Sequence, residues 1–81
     1  MVAPRNTPEE TIRRTVLALR AERLRQGLSQ NEVAKRAQLS HTMVMRVEKQ
    51  ERMPTIDTLL RICTALDLEL WRVLKSASTT S

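Results

Sequence analysis

Two serines, Ser29 and Ser40, each stand at the head of a short stretch with helical periodicity, and little chain separates one stretch from the next. Ser29-Gln30-Asn31-Glu32 has the form of a capping box, with the serine oxygen placed to accept from the N–H three residues on. Val33, Ala34 and Ala37 then form an inward stripe. Ser40 opens the next helix, which carries Val44 and Val47 on its inner side and stops near Lys49 or Gln50. Helices joined this tightly must cross at close range. That crossing needs a small residue, supplied by Ala34, and an apolar plug in the turn, supplied by Leu39.

The rest of the chain must build a core around this pair, and its composition allows only helices to do it. A single glycine, three prolines and one aromatic residue weigh against a β-rich fold, while Leu, Ala, Arg, Glu and Gln favour helix. Thr7-Pro8-Glu9-Glu10 reads as a helix start, with Thr7 as N-cap, Pro8 at the first helical position and Glu10 closing a capping box. Ile12, Val16, Leu19 and Leu24 follow at the spacing of one face as far as Gln26, and Gly27 suits a left-handed C-cap. Pro54 disfavours helix at Met53, and Thr55 caps a fourth helix bearing Ile56, Leu59, Leu60, Ile62, Cys63 and Leu66. Asp67-Leu68 is a short break before a fifth helix with Leu70, Trp71, Val73 and Leu74. The expectation is an all-α, five-helix domain over residues 7–75, with a flexible tail at 1–6 and a disordered tail at 76–81.

Eighty-one residues make one domain. A chain of this size buries only about 60% of its unfolded surface, so dimerisation would help it. Cys63 is the only cysteine, which excludes an intrachain disulfide and gives no sign of an oxidising compartment. No apolar run approaches the roughly 20 residues that cross a bilayer. Residues 1–15 mix Arg with Glu, unlike a signal peptide, so a cytoplasmic protein without membrane contact is expected. The net charge of +5 is uneven: residues 13–52 are strongly basic, and the chain from Met53 onward is nearly balanced. Such a distribution suits a polyanion on one face, although ordinary solvated charge would give the same excess.

Other chemistries find no support. His41 is the only histidine, and with Cys63 far away it has no ligand set, so no metal is expected. No nucleophile–base pair, paired carboxylates or Gly-rich phosphate loop stands out, and neither an enzyme nor a cofactor is expected. Cys63 reads as plain core. Met43 serves equally as a contact to such a polyanion or as cover for a helix junction.

Two helices crossing at a tight turn form a helix-turn-helix, in which the first bridges the DNA backbone and the second lies in the major groove. With Val44 and Val47 facing inward, the second helix exposes Ser40, His41, Thr42, Met45, Arg46 and Lys49. Most of these can reach base edges or phosphates.

The string Leu28-Ser29-Gln30, Val33-Ala34, Ala37, Leu39-Ser40, Val44, Arg46-Val47-Glu48, Glu51-Arg52, Pro54-Thr55, Thr58-Leu59-Leu60, Ala65-Leu66 resembles the Cro/phage-repressor helix-turn-helix family of transcription regulators. The downstream Glu-Arg-x-Pro-Thr loop and the Leu-rich fourth helix stand in register with the motif. The resemblance implies a repressor-like domain whose second and third helices form the motif. It places Gln30 where the family meets a phosphate, and Ser40, His41 and Thr42 at the start of the recognition helix. Arg46 comes one turn later and Met45 suits a thymine methyl, so Ser40, His41, Thr42, Met45 and Arg46 are the expected base readers. Lys49 and Arg52 lie near the backbone, and with Gln30, Lys35 and Arg36 they make the expected phosphate contacts. Arg23 and Glu48 match a pair that forms a buried salt bridge in phage repressors. Two positions depart from the family: Gln38 replaces a turn glycine of positive φ, at a cost of about 1 kcal/mol, and Gln50 stands where a C-cap glycine is common.

A single domain of this type contacts half a site, which favours a two-fold homodimer on a palindromic double-stranded operator with half-sites roughly 34 Å apart. The fifth helix is more apolar than one buried face requires, so Leu70, Trp71 and Leu74 are the expected interface, against the alternative that Trp71 completes the monomer core. The chain leaves no room for a ligand-sensing domain. Its size resembles restriction–modification controller proteins, compact phage repressors and small antitoxins. The competing possibility is an antitoxin or interaction module that uses the fold to hold a protein partner. A recognition face drained of positive charge would mark that case, and Arg46, Lys49 and Arg52 argue against it.

Overall fold

A computed structural model describes residues 7–78, and among them there are five α-helices and no strand. They are α1 (Pro8–Arg25), α2 (Gln30–Ala37), α3 (His41–Glu48), α4 (Ile56–Ala65) and α5 (Leu70–Ser78). The tail expected at residues 1–6 lies outside the described residues.

Local hydrogen bonds set where the first four helices begin. Thr7, Ser29, Ser40 and Thr55 sit in extended geometry and accept from the backbone N–H groups of Glu10, Glu32, Met43 and Thr58. Each such cap is worth about 1 kcal/mol. Glu10 turns outward to Arg13, 2.7 Å away.

The same four helices also end alike. Gly27, Gln38, Gln50 and Asp67 all take left-handed φ values, of 72°, 58°, 63° and 60°. In each case the next N–H reaches back five residues: Leu28 to Arg23, Leu39 to Ala34, Glu51 to Arg46 and Leu68 to Cys63, at 2.8–3.1 Å. This Schellman geometry favours glycine, yet only one of the four positions has it. Gly27, Gln38 and Gln50 fall where the sequence places caps that favour glycine, whereas at Asp67 the sequence marks only a break.

Val16, Leu19, Val33, Val47, Leu59, Ile62, Cys63 and Leu66 form the centre of the core. α2 packs on both α3 and α4, while α5 lies chiefly along α1. Burial pushes the Cys63 thiol up to about 11, in keeping with a core role.

Three expectations need correction. α5 continues through Ser78, so residues 76–78 are helical, because Ala77 lies one turn beyond Val73 and is itself buried. Residues 79–81 lie outside the described residues. Leu24 is not on the inner face of α1 but exposed, along with Leu17. On α4, Ile56 and Leu60 also point outward, so the apolar pattern there overstated the buried face.

Candidate nucleic-acid interface

The turn between α2 and α3 is set by Gln38, whose φ and ψ of 58° and 43° redirect the chain after Ala37. Leu39 packs against the core, and Ser40 caps α3. Ala34 is buried, and so are Val44 and Val47 on the inner side of α3. Their burial forces the opposite side of the helix into solvent. There His41, Thr42, Arg46 and Lys49 are exposed and Met45 is half-buried, with Arg52 exposed in the following loop. Ser40 is also exposed, but its oxygen is engaged by the Met43 N–H at 3.0 Å, so its first role is the cap. Met43 packs on the core and belongs to the covered side.

One carboxylate locks the recognition helix to the rest of the domain. Glu48, at the end of α3, accepts from Arg23 Nε at 2.7 Å, Arg23 Nη2 at 2.9 Å and Gln30 Nε2 at 3.0 Å. Arg23 also donates from Nη1 to the Leu28 carbonyl at 2.9 Å. α1, the α1–α2 connection, the head of α2 and the end of α3 are thus joined at one point. The Gln30 bond departs from the phosphate contact expected at this position, since the side-chain amide nitrogen is committed to Glu48. Gln50 adds a second tie, donating to the Arg13 carbonyl at 3.3 Å.

Two groups of expected site residues are not brought together. Arg36 lies on the α4 side of α2, in a cleft with Gln38, Asp57, Leu60, Arg61 and Thr64. Leu70, Trp71 and Leu74 do not form one free apolar face. Leu70 is buried in the monomer and Leu74 packs against the core, whereas Trp71 is 58% exposed. Its indole N–H donates to Glu69 at 2.6 Å, and the Arg72 guanidinium sits 5.0 Å from the ring centroid. The monomer core is therefore closed by Leu70 and not by Trp71.

Among the described residues no group of three or more His, Cys, Asp or Glu is arranged to hold a metal, and no helix is long and apolar enough to cross a membrane.

Known proteins with this arrangement are found chiefly by shape. The structure is similar to a point mutant of the restriction–modification controller protein C.Esp1396I, at 21% identity and a TM-score of 0.76 over 83% of this chain and 87% of that one. It is similar to the C.Esp1396I tetramer in complex with its natural 35-base-pair operator, at 21% identity and a TM-score of 0.73 over 83% and 92% of the two chains. It also resembles the clp gene regulator ClgR from Corynebacterium glutamicum, at 24% identity and a TM-score of 0.70 over 94% of each chain. No curated protein matched the chain. The sequence model of the helix-turn-helix family matches residues 19–70, a span that takes in α2, α3 and α4 entire. With the turn at Gln38 and the exposed face of α3 lying within that span, the chain belongs to the helix-turn-helix family, of the Cro/C1 type.

Proposed function

We propose that this protein reads a specific double-stranded DNA sequence as a homodimer and regulates transcription at that site, as a repressor or controller-type regulator. The observation that carries this reading is the two-sided character of α3. Val44 and Val47 are almost wholly buried, while His41, Thr42, Arg46 and Lys49 project from the opposite side. Among the described residues no protein hydrogen bond or ion pair engages those four side chains. Free side chains on a helix fixed by the Glu48 clamp are pre-organised for a major groove. His41, Thr42 and Arg46 read base edges, with Met45 against a thymine methyl and Ser40 beside them mainly as the cap. Gln30, Lys35, Lys49 and Arg52 meet the backbone, Gln30 through its main-chain N–H. The operator complex of C.Esp1396I is a precedent for this fold on DNA.

Selection from a randomised duplex library, with sequencing of the retained DNA, tests the proposal. An inverted repeat with half-sites about one helical turn apart supports a dimeric reader. Failure to enrich any sequence would leave the alternative, a module or antitoxin that holds a protein partner.

A further inference from the structure

We infer that Arg20 is a phosphate-binding residue that extends the DNA contact from the helix pair onto α1; this rests on the DNA-binding reading above. Glu48 does not need Arg20, since Arg23 supplies two bonds at 2.7 and 2.9 Å and Gln30 a third at 3.0 Å. The Arg20 Nε stands 3.9 Å from the same carboxylate, with its side chain 53% exposed where those of Arg23 and Glu48 are 9%. With its side chain half in solvent and its Nε 3.9 Å away, Arg20 adds little to folding through this pair. Two guanidiniums around one carboxylate leave a surplus of positive charge, and the surplus lies on the solvent side.

The other arginines of α1 have shorter-range acidic neighbours. Arg13 and Arg14 face Glu10, at 2.7 and 3.8 Å, and Arg25 holds Glu22 at 2.6 Å. Arg14 and Arg20 each face a carboxylate that another arginine holds more closely, and of the two only Arg20 faces the carboxylate that anchors the helix pair. Its position matters as much as its charge. Gln30, at the head of α2, binds the same Glu48, so Arg20 flanks the end of the helix pair expected to meet the backbone. A phosphate there gains a charge-assisted contact without displacing Arg23 from Glu48.

Arg20→Gln keeps hydrogen-bond donors for Glu48 and removes the charge; Arg20→Lys keeps the charge. Affinity is measured by fluorescence anisotropy over a salt series, on the selected operator and on an unrelated duplex of equal length, with thermal melting alongside. The expected result for Arg20→Gln is a slope of log affinity against log salt shallower by about 0.9 per domain, which is one phosphate contact. The affinity should fall by the same factor on both duplexes, with Arg20→Lys retaining the slope. An unchanged slope in Arg20→Gln overturns the inference, as does a loss confined to one sequence. A wild-type protein that binds neither duplex overturns the DNA-binding reading and this inference with it.

Discussion

Arg23 of α1 and Glu48 of α3 are joined by two parallel hydrogen bonds, Nε to Oε2 at 2.7 Å and Nη2 to Oε1 at 2.9 Å. The planar fork fixes angle as well as distance, so the pair sets how α3 leans on α1. Removing one partner leaves a nearly buried charge without compensation, whereas replacing both removes the desolvation cost too. Glu48→Ala is expected to lose about 3–5 kcal/mol of stability in urea denaturation. Arg23→Met combined with Glu48→Leu should lose clearly less than the two single changes added together. Additive losses would mean that the two groups are not coupled.

Gln38 holds a left-handed conformation with φ of 58°. A non-glycine residue there is strained by about 1 kcal/mol. Its side-chain oxygen accepts only a long contact, 3.5 Å from Arg61. Gln38→Gly should therefore raise the denaturation midpoint by an amount worth roughly 0.5–1 kcal/mol, while Gln38→Ala, which keeps the strain, should not. A lower midpoint for the glycine variant would place the balance with unfolded-chain entropy instead.

These two features differ in how legible they are from sequence. Starts of helices are written locally, since Thr7, Ser29, Ser40 and Thr55 each cap within three residues of themselves. The turn was legible at Gln38 only because the surrounding motif resembles a family with glycine there. Asp67, in the same geometry without such a guide, was not. Outward apolar residues were the hardest to place. Leu24, Ile56 and Leu60 have the chemistry of core residues, and only the packing of α1 and α4 against their neighbours shows that they face away. The sequence offers Arg36 as a phosphate contact, while the side of α2 it occupies follows from the approach of α4.

Glu22 accepts from Arg25 at 2.6 and 2.8 Å and from Gln26 at 2.7 Å, and these bonds hold its carboxyl down at about 2 from an ordinary value of 4.5. Because the folded value is the lower one, this contribution to stability is complete above pH 4.5 and is lost as pH falls towards 2. Gln26 also donates to the Leu66 carbonyl at 2.9 Å, so the arrangement ties the end of α1 to the end of α4. In an NMR titration the Glu22 midpoint should lie near 2. Glu22→Gln should make stability less dependent on pH across that window. A midpoint at the ordinary value would show that the bonds to Arg25 and Gln26 do not persist in solution.

Arg46 on α3 and Lys49 at its C-cap are both exposed, and the proposed roles separate them. Arg46→Ala should lower affinity for the selected operator by about 1–3 kcal/mol and relax the preference at one base position of each half-site. Lys49→Ala should weaken binding to all duplexes alike and make the salt dependence shallower. Anisotropy titrations on the operator and its single-base variants distinguish the two. Equal losses on every sequence for Arg46→Ala would move Arg46 to the phosphate group.

Trp71 and Leu70 are neighbours with opposite fates, one 58% exposed and the other 8%. Glu69 and Arg72 hold the indole from two sides, which lowers the conformational entropy lost when it docks. An aromatic side chain presented in this way suits the centre of an interface. Trp71→Ala is thus expected to weaken the proposed homodimer by about 2 kcal/mol or more, roughly a thirtyfold change in the dissociation constant. Its effect on the isolated monomer should stay within about 0.5 kcal/mol. Leu70→Ala should instead destabilise the monomer itself by about 2–5 kcal/mol through the cavity it leaves. Sedimentation equilibrium gives the dimer constant, and denaturation at low concentration gives the monomer term. If Trp71→Ala leaves the dimer constant unchanged, Trp71 is not the centre of the proposed two-fold contact, and the outward Ile56 and Leu60 of α4 are the next surface to substitute.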